Sequence, residues 1–253
     1  IKLVYENQSL IFSGEHLPNK KSDNLYRTGE INIIGNAENF NLINVNNYIP
    51  ISFNIGGELS GIININGTPE SPEIIFKSII KNPEFDLIKG RQLTGEIYYK
   101  NEIASLKNIN LQTLNGTYRG SGDIPINLNI FGRKSNFYNS PDLDISIIGE
   151  TTEFEFLSPY FEIVDSLTGH LSLNLDITGS LHTPIRNGEI NINHAKLNLM
   201  PLENIIYGIN GKVNIIDNKL NLVFLNGITG KTNQRNLLTN FTRSLCDALN
   251  NRG

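Results

Sequence analysis

An all-β fold assembled from repeated units is what this sequence predicts, and three observations carry the expectation. Apolar and polar residues alternate with a period of two in many short runs. The strictest run sets Leu171, Leu173, Leu175 and Ile177 against Ser172, Asn174, Asp176 and Thr178. Gly, Pro and Asn/Asp breaks separate the runs; Gly179 to Pro184 ends one strand at a residue without Cβ and a residue that cannot donate to a ladder. The breaks also recur. Gly-x-x-x-x-Pro stands at Gly67 to Pro72 and again at Gly179 to Pro184, 112 residues on, each after an alternating run that follows Ser60-Gly61 or Thr168-Gly169. Leu114-Asn115-Gly116 and Leu225-Asn226-Gly227 lie 111 residues apart, and Gly-Glu-Ile-Asn-Ile occurs at 29–33 and 188–192. Copies at nearly constant spacing that cannot close a core alone predict an elongated array.

Taken in order, the first 56 residues read as short strands at 2–5, 9–13, 29–34, 40–46 and 51–55, with a polar loop at 18–24. The run 57–66 alternates again and stops at the first Gly-x-x-x-x-Pro. Strands are then expected at 74–80, 92–99, 103–105, 109–114, 118–122, 124–131, 143–149 and 152–156. Residues 157–167 read as one short helical turn, because Leu157, Tyr160, Phe161 and Val164 share a face. After 171–178 come 189–193, 196–199, 212–216 and 219–225, the last two joined at Asp217-Asn218, which suits a tight hairpin. Residues 1–230 thus form one repetitive β region, with copies near 57–131 and 166–230. The tail 231–253 changes character: Leu237, Leu238, Phe241, Leu245, Ala248 and Leu249 recur at helical spacing, which fits either an amphipathic helix or a disordered end.

With 253 residues, 39% hydrophobic and 18% charged, the chain has enough apolar residues to bury a core. Its polar faces are Asn, Ser and Thr rather than Lys and Glu. A net charge of −4 argues against nucleic acid, which needs a concentrated basic surface. Cys246 is the single cysteine, so no internal disulfide framework exists. No run reaches the roughly 20 apolar residues that span a bilayer, and a chain opening at Ile1 inside a strand pattern reads as a segment of a longer protein.

Catalytic and metal chemistry find few residues to stand on. His16, His170, His182 and His194 occupy four separate segments and read as solvated surface side chains. Glu153 and Glu155 share a strand face with nothing nearby to raise one pKa. The run Leu225 to Thr232 ends like a phosphate loop but has Leu where the first Gly belongs, and reads as a strand end. The expectation is no enzyme, no cofactor and no metal.

The run 158–184, SPYFEIVDSLTGHLSLNLDITGSLHTP, resembles the TamB and AsmA-like envelope proteins, whose C-terminal region repeats an apolar turn, Leu-x-Gly, an alternating strand and Gly-Thr-Leu-x-x-Pro. Residues 57–74 look like a second copy, and 120–128, GSGDIPINL, are similar to the family's Gly-x-Leu-Pro strand. The likeness covers roughly residues 29–230; Ser180 stands where the family has Thr. What the resemblance implies is a long sheet curled into an open trough with an apolar inner face, a β-taco. It implies a bridge-like protein that carries phospholipid between the inner and outer membranes of a diderm bacterium or assists outer-membrane protein assembly. It also implies a periplasmic location, an inner-membrane anchor elsewhere in a longer chain, and an outer-membrane barrel partner of the BamA type.

The residues agree on their own terms. Burying a CH₂ is worth about 0.8 kcal/mol, so a lipid with two chains of about 16 carbons needs on the order of 25 kcal/mol of apolar contact. A continuous aliphatic wall supplies that where a small pocket does not. The lining set is Ile63, Ile65, Ile109, Leu111, Ile124, Ile126, Leu128, Ile130, Leu171, Leu173, Leu175, Ile177, Ile190, Ile192, Leu197, Leu199, Val213, Ile215, Leu220 and Leu222. No charge interleaves on these faces. The same alternation would equally line the dry closed core of a β-solenoid or sandwich that serves as a stalk or adhesin.

Overall fold

The computed structural model describes residues 2–5, 8–18, 29–45, 55–85, 88–128, 142–153, 164–180, 183–199 and 202–229. These residues are all-β, with fourteen strands and one 3₁₀ turn, Leu42–Val45. The strands are β1 (Lys2–Tyr5), β2 (Gln8–Leu17), β3 (Glu30–Asn41), β4 (Ile55–Gly67), β5 (Pro72–Phe85), β6 (Ile88–Lys89), β7 (Gln92–Lys100), β8 (Ile103–Gln112), β9 (Gly116–Pro125), β10 (Leu143–Glu153), β11 (Val164–Gly179), β12 (Pro184–Leu199), β13 (Leu202–Ile216) and β14 (Lys219–Thr229). Each pairs with its neighbour in chain order, except that β6 only extends the β5 hairpin and β7 takes the place beside β5.

Two compact units divide these strands. The first comprises Ile1–Leu114, Arg119–Ile145 and Gly179–Thr183; the second comprises Asn115–Tyr118, Ser146–Thr178 and Pro184–Gly253. Within the first, β2 through β8 form an antiparallel meander. Within the second, β12, β13 and β14 do the same.

Several strands are longer than the sequence pattern predicts, and the reason is physical. The expected pairs 29–34 and 40–46, 103–105 and 109–114, and 189–193 and 196–199 are replaced by the single strands β3, β8 and β12, with residues 42–45 in the 3₁₀ turn. Each holds a residue in the left-handed region, Asn39 (φ 48), Asn108 (φ 53) and His194 (φ 50). Ladder register shifts there: between Ala37 and Phe40 in β3, opposite Thr94/Glu96 for β8, and between Ile192 and Ala195 in β12. One extra residue changes the parity of the alternation, so Ile190 and Ile192 pass the inner face to Ala195 and Leu197. Asn tolerates that backbone better than most side chains. The strands β9 and β10 likewise run on through the positions expected to break them, but β9 ends at Pro125, so the strand expected at 124–131 is corrected over 126–128, which are not strand. The run 202–211, not expected as strand, belongs to β13, where Gly208 (φ 59) hides the alternation. The helical turn expected at 157–167 is corrected from Val164 onward, which is already β11; 157–163 and the terminal tail lie outside the described residues.

Both Gly-x-x-x-x-Pro breaks are the same device. Gly67 (φ 93) and Gly179 (φ 79) hold positive φ at the strand end, where a Cβ would be strained. The next residue, Thr68 or Ser180, accepts the N–H of Ser71 or Thr183 on its hydroxyl, at 3.1 and 3.0 Å. Ser180 therefore does what Thr does. Pro72 and Pro184 open the returning strands, where no ladder N–H is required.

Candidate functional site

Pleating puts alternate residues of each strand on one side of its sheet, and register then aligns them across strands. In the first unit, Phe12, Gly35, Ile63, Phe76, Ile97 and Leu106 are successive cross-strand partners from β2 to β8. A second row reads Gly14, Ile33, Ile65, Ile74, Tyr99 and Ala104, and a third Leu59, Ile80, Leu93 and Leu111. Ile109 fills the space over Gly95, where an added Cβ would lie 2.4 Å from its Cδ1. No charged side chain stands in these rows; Gln8, His16, Ser78 and the Tyr99 hydroxyl are polar members of the face. Tyr99 is buried, and its hydroxyl accepts the N–H of Leu128 at 3.0 Å.

The charges sit on the opposite face. Lys100 pairs with Glu73 at 2.7 Å and Lys77 with Glu96 at 3.4 Å. The Tyr98 hydroxyl donates to Glu96 at 2.5 Å, and Lys107 lies 5.0 Å from the Tyr98 ring centroid. That hydrogen bond, helped by Lys77, holds the Glu96 carboxyl below its ordinary range, and the same bond raises the Tyr98 phenol. Ser105 donates to Asp123 at 2.6 Å, so the neighbours Ala104 and Ile124 turn to the apolar side.

In the second unit the rows are Gly188, Ile215 and Leu220; Ile190, Val213 and Leu222; and Ile192, Gly211 and Leu225. Ala195 pairs with Ile209 and Leu197 with Ile206, and these four form a buried cluster that Ile192 and Leu225 flank. Leu175 lies against Gly188, whose added Cβ would approach its Cα to 2.9 Å. On β9 and β10 the Tyr118 ring covers Gly149 and bonds Thr151, and burial pushes its phenol upward. The outer side carries Glu189, whose carboxyl is held low by Lys212 at 2.5 Å and then by Asn191 at 3.0 Å.

Of the predicted lining residues, Ile63, Ile65, Ile109, Leu111, Ile124, Ile126 and Leu128 are half-buried in the first unit. In the second, Leu171, Leu197 and Val213 are buried, and Leu173, Leu175, Ile177, Ile190, Ile192, Ile215, Leu220 and Leu222 are half-buried. Ile130 and the Leu199 side chain lie outside the described residues. The sequence reading missed Phe12, Ile74, Phe76, Leu93, Ile97, Tyr99, Ile206 and Ile209. Doublets such as Ile74-Ile75 and Ile79-Ile80 put an Ile on each side and leave the inner one unmarked; only register marks it.

His16 departs from the expected solvated histidine: it lies on the apolar face in register with Ile31, and its Nε2 is buried without a hydrogen-bond partner. His170 and His194 are exposed, and the His194 N–H donates to Asn210. Residues 225–229, the start of the phosphate-loop-like run, are strand β14. His182, Glu155 and the Glu153 side chain lie outside the described residues. Among the described residues no three His, Cys, Asp or Glu side chains gather as a metal site, and no helix is long and apolar enough to cross a membrane. A cleft of about 430 Å³ by Glu15, Glu30, Asn32 and Thr68 has a mixed lining.

No protein-family model, curated protein or solved structure matches this chain. What the geometry offers chemically is an uncharged aliphatic and aromatic sheet face in each unit, most of it half-exposed.

Proposed function

We propose that this chain is a segment of a bridge-like lipid conduit that holds phospholipid acyl chains against its apolar sheet faces. One observation carries the reading: fifteen of the eighteen predicted lining residues whose side chains are described are half-buried rather than buried. A sheet face that packed against a second layer would drive such aliphatics out of solvent. An aliphatic face left half-wet and free of charge suits a mobile apolar ligand. Rows of similar side chains offer many equivalent contacts and no deep well, which lets a chain slide. In this reading the protein is not an enzyme and needs no cofactor. The motif resemblance adds the setting: the envelope of a diderm bacterium, an inner-membrane anchor in a longer chain, and an outer-membrane barrel partner of the BamA type.

A dry core is the second reading, and the cluster Ala195, Leu197, Ile206 and Ile209 favours it locally. One experiment separates the two: native mass spectrometry with lipid extraction on the chain purified from a bacterial envelope. Co-purifying phospholipid that is depleted in Leu173→Asp, with β circular dichroism retained, supports the conduit. A lipid-free protein whose Leu173→Asp variant unfolds overturns it, because a charge sealed in a core costs several kcal/mol.

A further inference from the structure

The outward side of β13 and β14, opposite the apolar rows, is not a plain solvated face. Tyr207, Ile216, Phe224 and Ile228 point away from those rows and are 48%, 50%, 45% and 66% exposed, with Val223 at the bulge beside them. Three of these apolar positions, Tyr207, Ile216 and Phe224, have a lysine neighbour. Tyr207 and Ile228 are direct cross-strand partners, and Lys196 lies 5.5 Å from the Tyr207 ring centroid. Phe224 is the cross-strand partner of Lys212, and Ile216 of Lys219. Among the described side chains of β12 to β14, the acid on the same face, Glu189, is already paired with Lys212, and Asp217 sits in the hairpin turn.

We infer that this face docks on an anionic phospholipid surface, with Tyr207, Phe224 and Ile228 entering the headgroup boundary and Lys196 and Lys219 meeting lipid phosphates. Aromatic and aliphatic side chains flanked by lysine stems fit that boundary, where ring and stem are apolar and the tip is wet. The dimensions favour a bilayer over a protein partner. Two strands about 4.8 Å apart and some nine residues of about 3.3 Å give a strip of about 300 Å², well short of the roughly 800 Å² per side of a stable protein interface. A lipid surface sets no such minimum. This docking face is separate from the acyl-chain face and stands or falls without it.

The test is flotation of the chain with vesicles of phosphatidylcholine alone and with about 30% phosphatidylglycerol. The expected result is binding to the anionic vesicles only, weakened by salt. Lys196→Gln with Lys219→Gln should lower partitioning roughly 30-fold, at about fivefold per lysine. Tyr207→Ser with Ile228→Ser should abolish it at unchanged circular dichroism. Absence of binding to anionic vesicles, equal binding to both vesicle types, binding indifferent to all four outer substitutions, or self-association through the same residues would overturn the inference.

Discussion

Gly149 has no side chain, and the ring of Tyr118 occupies the space one would need: an added Cβ would lie 2.3 Å from Tyr118 Cδ1. Covering a strand glycine with a neighbouring aromatic restores the packing that glycine forfeits. Gly35, under Phe12 and Ile63, repeats the arrangement. Gly149→Ala should therefore destabilise the protein by about 1–3 kcal/mol through overpacking, read as a lowered urea midpoint, and Tyr118→Ala should remove most of that penalty. Titration gives a second prediction. The Glu189 carboxyl is held low by Lys212, so its stabilisation is present above the ordinary carboxylate range and is lost as pH falls through the folded value. The Tyr118 phenol is raised by burial, so its stabilisation is present below the ordinary tyrosine range and is lost as pH rises through the folded value. Thermal melts across pH should fall at both ends. Lys212→Met should flatten the acid limb and Tyr118→Phe the alkaline one; unchanged limbs would refute the assignments. Neither partnership was legible in the sequence, because Tyr118 and Gly149 are distant in the chain and only register makes them neighbours.

Strand length and strand phase are set by turns and bulges. The Asp217-Asn218 hairpin was legible, since both residues tolerate positive φ, and both adopt it at 48° and 68°. Its side chains also close the neighbouring strand: Asn218 accepts the Arg186 N–H and donates to the Pro184 carbonyl, both at 2.9 Å, and Asn187 accepts the Asp217 N–H at 3.0 Å. Asn218→Ala loses these bonds and the tolerated backbone, for an expected cost of about 1–3 kcal/mol. Asn218→Gly keeps the backbone and should cost less; equal costs in chemical denaturation would refute the backbone part. The bulges at Asn39, Asn108 and His194 were not legible. Each reads as a strand end, because the parity change that keeps the apolar side chains on one face also erases the period-two signal that marks a strand.

For the whole chain, the function proposed depends on apolar rows in both units. Phe76→Asp alters the first unit and Leu173→Asp the second. Each alone should lower the amount of phospholipid that co-purifies, and together they should abolish it, with β circular dichroism retained in all three variants. Unchanged lipid content in the double variant would remove the conduit reading. The site was legible as a set rather than as a list. Alternation singled out Leu171 to Ile177 and Ile190 to Ile192, whereas Phe76, Ile97 and Tyr99 joined the wall only through cross-strand register.

The sequence by itself determined the all-β class, the two Gly-x-x-x-x-Pro turns, the Asp217-Asn218 hairpin and the separation of aliphatic from charged residues, because these follow from local backbone chemistry and a period of two. Tertiary structure alone decided which residues face each other and how long each strand runs, since both depend on pairing between segments. It also decided that Tyr207 and Phe224 lie beside lysines on the outer side, with Ile228 across from Tyr207. A residue's parity along its own strand says which side it takes only until the next bulge, and the bulges are held by the neighbouring strands.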